Sequence, residues 1–327
     1  MKTFFLSSVL ALSCANVAAA ELKLIFAGDI MLAEGPGRTI AKGKDPFQFF
    51  APYLAQADYR IGNLETPVAT SGKALENKIF AFRAHPRVLP VLKRHFDAVS
   101  VANNHSGDYG KTAFVETLQH LDHNKIAYFG GGHHLNAAHR PLWIERQGIK
   151  IAVLGYNEFK PRSFEAGANW PGIAWSEDEQ VIMDIRAAKA AGADVIIPYM
   201  HWGWERELQP TARQRQLAQR MIDEGASVVI GGHPHVTQGT EYYRGKLIVY
   251  SLGNFVFDGF DPPEPAETRQ GWVLQVNINQ QGMTRWHTWL ARQDRHGTPH
   301  PDLHTATPCG RAGDTQPRQC RGDVAVD

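Results

Sequence analysis

Residues 228–235 read Val228-Val229-Ile230-Gly231-Gly232-His233-Pro234-His235. A short β-branched apolar run bounded by glycine predicts a buried strand. The run ends in two imidazoles one residue apart, with Pro234 between them to stiffen the turn that presents both rings. Sheets of α/β proteins carry their sites at the C-terminal ends of strands. The stretch therefore predicts an α/β layered chain and a place for its chemistry.

Four more stretches repeat the arrangement. Leu24-Ile25-Phe26-Ala27 runs into Gly28-Asp29, and Tyr59-Arg60-Ile61 into Gly62-Asn63-Leu64-Glu65. Val99-Ser100-Val101-Ala102 ends in Asn103-Asn104-His105, with Asp108 three residues on. Val195 to Met200 ends in His201-Trp202-Gly203, with Glu205 behind. Singly, each has an ordinary structural reading: Gly-Asp and Asn-Asn-His are common turn residues, and His201 beside Trp202 fits a satisfied core histidine. Five such clusters, ordered at five strand ends, point to one polar centre. His, Asn and carboxylate donors suit borderline or hard divalent ions such as Zn, Mn or Fe, and the lack of cysteine donors argues against a structural zinc site.

The rest of the chain supports the alternation. Leu22 to Ala27, Ala98 to Ala102, Ile149 to Gly155, Asp194 to Met200, Ser227 to Ile230 and Leu247 to Ser251 read as strands. Phe47 to Gln56, Thr112 to Asn124, Glu177 to Ala191 and Thr211 to Glu224 show helical spacing between them. Ser176 is the expected N-cap of the third helix. Trp272 to Ile278 and Thr284 to Leu290, joined by Asn279-Gln280-Gln281-Gly282, read as a hairpin packed on the main sheet system. After Arg292 the chain is rich in Pro, His, Thr and Arg, and residues 293–327 are expected to be a mobile tail.

Lys2, the apolar run Phe4 to Leu12 and Ala18-Ala19-Ala20 make the three-part pattern of a secretory signal over residues 1–20. Cleavage after Ala20 would start the mature chain at Glu21, and the alternative is a lipid anchor on Cys14, preceded by a poor lipobox. No later stretch is long and apolar enough to span a bilayer. The 327 residues carry 34 Lys+Arg and 33 Asp+Glu, and loss of Lys2 balances them. That balance argues against nucleic-acid coating, which needs a basic excess. Export would leave Cys309 and Cys320 as a pair in an oxidising compartment, where one disulfide is expected, contributing ~2–3 kcal/mol on the chain-entropy model.

Taken in order, Gly28-Asp29, Gly62-Asn63-Leu64-Glu65, Asn103-Asn104-His105 with Asp108-Tyr109-Gly110, His201-Trp202-Gly203 with Glu205, Gly232-His233-Pro234-His235 and Ser251-Leu252-Gly253-Asn254-Phe255 resemble the CapA family. These are bacterial capsule, or poly-γ-glutamate, biosynthesis proteins, a branch of the calcineurin-like metallophosphoesterase superfamily. The resemblance covers about Leu22 to Phe257. It implies an α/β fold, a four-layer sandwich of two mixed β-sheets flanked by helices, spanning residues 21–292. It implies one or two divalent ions, Mn, Zn or Fe, held by Asp29, Glu65, Asn104, His201, His233 and His235. His105 would be the general acid and Asp108 its orienting partner. Two departures matter: the superfamily's opening Asp-x-His has Met31 in place of His, and its bridging aspartate is the longer Glu65. One metal position keeps Asn104, His201, His233 and Glu65; the other keeps Asp29, His235 and a share of Glu65, and should be weaker, or empty without substrate.

Further features have structural readings as good as functional ones. Arg83, His85, Arg87, Lys73, Lys78 and Arg162 are candidates to hold an anionic chain, or are solvated surface. Trp202 and Trp204 would wall a cleft or pack between layers, and Arg213, Arg215 and Arg220 lie on a helix as a solvated face. Asn254 would support the His235 turn or simply build its own. The sequence thus points to an exported protein of capsule or poly-γ-glutamate biosynthesis performing metal-assisted hydrolysis or transfer. Its partners would be an anionic polymer or phosphoester substrate and the capsule synthesis machinery. The rivals are a general periplasmic phosphoesterase and a non-catalytic assembly or binding component, the latter favoured by Met31.

Overall fold

The computed structural model describes residues 21–76, 78–259 and 264–326; the expected signal peptide, 1–20, lies outside them. The strand Leu22–Ile30 lies at the centre of the larger sheet. Its neighbour Tyr59–Leu64 runs parallel to it, followed in the same sense by Ala98–Ser100 and Ala127–Phe129. On its other side it pairs antiparallel with Gln270–Asn279, which turns into Gly282–Gln293. The expected hairpin is therefore continuous with the sheet rather than laid upon it.

The second sheet has four parallel strands at its heart, Ile149–Asn157, Val195–His201, Val228–Gly232 and Lys246–Leu252. Antiparallel strands Leu142–Arg146 and Thr237–Tyr243 close its two edges.

Strand periodicity explains the layering. In the first strand, Leu24 and Phe26 face the second sheet, where they meet Val153, Ile197, Tyr199, Ile230 and Val249. Ile25 and Ala27 point the other way and are covered by Leu92, Phe114, Leu118 and Leu121 from helices Leu89–His95 and Gly110–His123. Helices Asp178–Ala190 and Ala212–Glu224 cover the outer face of the second sheet with Val181, Ile185, Leu217 and Met221. Strands buried on both faces read as continuous apolar runs, which is what the sequence displays. Each large buried side chain such as Phe26 contributes about 1.5–3 kcal/mol of transfer free energy. The result is four layers, two mixed sheets face to face between two helical layers.

Local signals mostly hold. Thr211 and Gln214 form a reciprocal capping box ahead of Ala212–Glu224. Glu177 rather than Ser176 is the N-cap of the preceding helix, and it makes no side-chain cap bond. No helix among the described residues is long and apolar enough to cross a membrane.

The expectation of a mobile tail after Arg292 is corrected. Gly282–Gln293 offers a free edge, and Pro299–Asp302 and Thr307–Arg311 both pair with it. Arg318–Arg321 and Val324–Ala325 then extend the sheet. Cys309 and Cys320 form a disulfide between neighbouring strands, Cα atoms 5.8 Å apart. Composition concealed this order because backbone pairing, a covalent link and small buried residues such as Thr307 and Cys309 replace the large apolar side chains whose scarcity suggested disorder.

Candidate metal centre

The five strand ends meet at one edge of the sandwich. Register alone brings several of their residues side by side: Asp29 opposite Asn63 and Asn254, and Gly232 opposite His201. Polar contacts then join the two sheets. Asn104 Oδ1 lies 2.8 Å from His201 Nε2, and His233 Nδ1 lies 3.1 Å from the same nitrogen. The Asn63 amide donates to Asp29 Oδ1 at 2.8 Å and reaches His201 Nδ1 at 3.2 Å. Its carbonyl oxygen accepts from Asn103 at 2.9 Å.

Glu65 occupies the middle of this group. It is fully buried, and neither carboxylate oxygen has a hydrogen-bond partner. Its nearest cationic candidates are imidazoles, His201 Nε2 at 3.5 Å, His235 Nε2 at 3.9 Å and His105 Nε2 at 4.0 Å. Burial first, and then the charge of Asp29, push its carboxyl well above the ordinary carboxylate range. Burial likewise pulls His201 and His233 well below the ordinary imidazole value. An unpartnered buried carboxylate is costly. His233 Nε2 is a third buried atom without a hydrogen-bond partner. Glu65, His233 and His235 each offer a ligand atom, all within 4.8 Å of one another. A divalent cation fits this donor set: it would satisfy the orphaned oxygens, use the His233 imidazole that burial already holds neutral, and replace the proton that, against burial, Asp29 draws onto His235.

The turn carrying the paired histidines is built for position. His233 and His235 have φ of 95° and 58°, left-handed values that only surrounding structure sustains in residues with a Cβ. A Cβ on Gly231 would lie 2.1 Å from the Tyr250 carbonyl oxygen, so the strand can end there only with glycine. His235 Nδ1 is 2.8 Å from Asn254 Oδ1, and Asn254 is itself fixed by donation to the Thr268 carbonyl at 2.8 Å. Orienting an imidazole through its second nitrogen in this way is what metal ligands require.

His105 and Asp108 also meet, Nδ1 to Oδ2 at 2.7 Å. The same carboxylate oxygen accepts from the Phe82 backbone at 2.7 Å, and Lys78 Nζ contacts the other oxygen while donating to the Asn104 carbonyl at 2.7 Å. Burial lowers the His105 pKa against the pull of Asp108. Beside this group opens a cleft of about 460 Å³ whose lining includes Phe82, His105, Glu205, Arg206, His235 and Phe257. Met31 is buried in an apolar cluster with Ala33 and Phe257, against Phe82.

All eight residues singled out in the sequence, Asp29, Glu65, Asn104, His105, Asp108, His201, His233 and His235, thus fall in one neighbourhood. Asn63 and Lys78 belong to it as well. Asn63 carried a signal, since it shares a cluster with Glu65. Lys78 comes from a loop with no periodicity. Other candidates lie elsewhere: Arg83 binds the carbonyls of Thr70 and Ser71 and stacks on Tyr109, and Arg213 is paired with Glu158 and Asp178. Trp202 is buried and donates to the Tyr250 carbonyl, whereas Trp204 is exposed.

Fold and site together define a four-layer α/β protein with a candidate metal centre at its strand ends. The chain belongs to the bacterial capsule synthesis protein family PGA_cap, whose model matches residues 23–259. It is 34% identical over 293 residues to the PGA biosynthesis protein CapA of Bacillus subtilis, covering 88% of this chain and 73% of that one. It is 32% identical over 266 residues to the capsule biosynthesis protein CapA of Bacillus anthracis, covering 77% of this chain and 61% of that relative. Among solved structures, it is similar to the NAD nucleotidase of Haemophilus influenzae, with 14% identity, a TM-score of 0.49, and coverage of 87% of this chain and 54% of that one.

Proposed function

We propose that this chain is an exported protein of capsule or poly-γ-glutamate biosynthesis that acts through a divalent metal centre, by metal-assisted hydrolysis or transfer. The observation that carries the reading is Glu65, a fully buried carboxylate with no hydrogen-bond partner on either oxygen, among histidines that include a third orphaned atom. Glu65, Asn104, His201 and His233 would hold one ion. Asp29 and His235, sharing Glu65, would hold a second more weakly, because Met31 supplies an apolar wall in place of a ligand. Bound there, a divalent ion supplies Lewis acidity that polarises a scissile phosphoester or γ-glutamyl amide.

The protein's own groups do the rest. Asn63 orients Asp29 and His201, and Asn254 orients His235. Asp108 holds His105 by Nδ1, leaving Nε2 to deliver a proton to the leaving oxygen or nitrogen. Phe82 and Phe257 narrow the cleft against water. The two relatives are named for capsule and PGA biosynthesis, which supports the process. The expected signal over residues 1–20 supports export.

The test is metal analysis of the purified mature chain, paired with hydrolysis assays on phosphodiesters and γ-glutamyl peptides. Stoichiometric metal, with activity on γ-glutamyl peptides that His233→Ala abolishes, is the expected result. Phosphodiesterase activity alone would favour a general phosphoesterase. A folded chain with neither metal nor activity would overturn the enzyme reading.

A further inference from the structure

We propose that the disulfide-closed edge of the larger sheet carries a pocket for one small oxyanion, a carboxylate or a phosphate group, built from Arg285, His287, Arg311 and Arg318. The first observation is register. Arg285 stands directly opposite Arg311, and His287 opposite Cys309, whose other neighbour is Arg318. Arg285 and His287 are two residues apart on one strand, so all of these side chains share a face. Like charges directly opposite each other destabilise a sheet, and an anion between the guanidinium groups removes that repulsion.

The second observation is a cavity. About 60 Å³ is enclosed by these four residues with Asp323 and the Cys309–Cys320 bridge among the lining. That volume holds a single small group, not a length of chain. The third is an orphaned donor. His287 is only 5% exposed, and its Nε2 has no hydrogen-bond partner. Burial, with Arg285 and Lys23 adding to it, pulls this imidazole down to about 4 against the opposing pull of Asp323, so near neutral pH it is an uncharged donor or acceptor.

Arg285 and Arg318 have carboxylate neighbours, Glu21 at 3.8 Å and Asp314 at 2.6 Å. Among the described residues Arg311 makes no ion pair. With Glu21 and Asp314 set against Arg285 and Arg318, Arg311 is the guanidinium left to meet a ligand, and its planar fork matches planar oxyanions. The pocket lies outside residues 23–259, the part that matches the family model, and needs nothing from the metal centre.

The oxyanion has two sources, a free carboxylate of a γ-glutamyl chain or a phosphate. Calorimetric titration of the full oxidised chain would use a short γ-glutamyl oligomer in one arm and inorganic phosphate in the other. The same titrations would be run on R311Q, R285Q and H233A, each checked for an unaltered thermal melt. Binding is expected to weaken at least about ten-fold in either arginine variant, as loss of a charge-assisted bidentate contact implies, and to stay within two-fold in H233A. Saturable binding in both arms, or in either one, with that pattern supports the pocket, and oligomer binding alone ties it to the polymer. No binding in either arm, equal binding in wild type and R311Q, or binding lost in H233A but not in R311Q would overturn it.

Discussion

Two regions of the molecule use polar residues in opposite ways. At the strand ends, Asp29, Glu65, Asn104, His201, His233 and His235 are packed together with two strained backbone positions and three orphaned polar atoms. At the far edge, residues 299–325 satisfy themselves by strand pairing and a disulfide. The first region is costly to fold and arranged around something it does not itself supply. The second gives up large apolar side chains and recovers order through backbone hydrogen bonds and a covalent link. Stability and function are therefore expected to separate in space, as they do where active sites are strained.

The largest effects should fall at the strand ends and spare the fold. Glu65→Gln and His233→Ala should each abolish metal binding and lower hydrolysis at least about 100-fold, by loss of a ligand. Metal-free Glu65→Gln should melt no lower than wild type, because the neutral amide matches in shape a carboxyl whose charged form burial disfavours; a clear drop in melting temperature would erase the contrast. Asn254→Ala comes next, with metal affinity falling about 10–100-fold through misorientation of His235, read by competition with a chelator.

The far edge should behave in reverse. Replacing both Cys309 and Cys320 by Ser should cost ~2–3 kcal/mol in denaturant unfolding and leave metal content unchanged. The smallest effect is on pH dependence. The Glu65 carboxyl is raised above 4.5 in the folded, metal-free chain, so the folded state holds a proton that the unfolded state has released. Stability is then fully present below that pH and falls as pH rises through the raised value. Unfolding curves of metal-free wild type and Glu65→Gln should diverge over that window, and added metal should stabilise wild type alone.

The strand-end region was legible because its chemistry is written locally. Each cluster follows an apolar run in the same few residues, and parallel strands bring successive C-terminal ends to one edge of a sheet. Phe26 and Ile25 likewise announced a strand buried on both faces. Apart from its expected disulfide, the far edge was illegible because its order comes from the pairing of Thr307–Arg311 with Gly282–Gln293 and of Arg318–Arg321 with Thr307–Arg311, relations between segments that composition does not encode. Lys78 was read only as a candidate for an anionic chain, and its place beside His105 was illegible for a similar reason. It reaches Asp108 and Asn104 from a loop whose course depends on where Phe82 and Leu75 find hydrogen-bond partners on Asp108.

Both regions come back to whether the buried Glu65 is there to meet a cation. Titration of the chelator-stripped chain with Mn, Zn or Fe, followed by calorimetry and melting temperature, asks this directly. The expected result is saturable binding of one ion, with a second bound more weakly. The melting temperature should rise with metal in wild type and stay unchanged in Glu65→Gln. Folded wild-type chain that binds no divalent ion, or that is stabilised equally with Glu65→Gln, would contradict a metal centre at the strand ends.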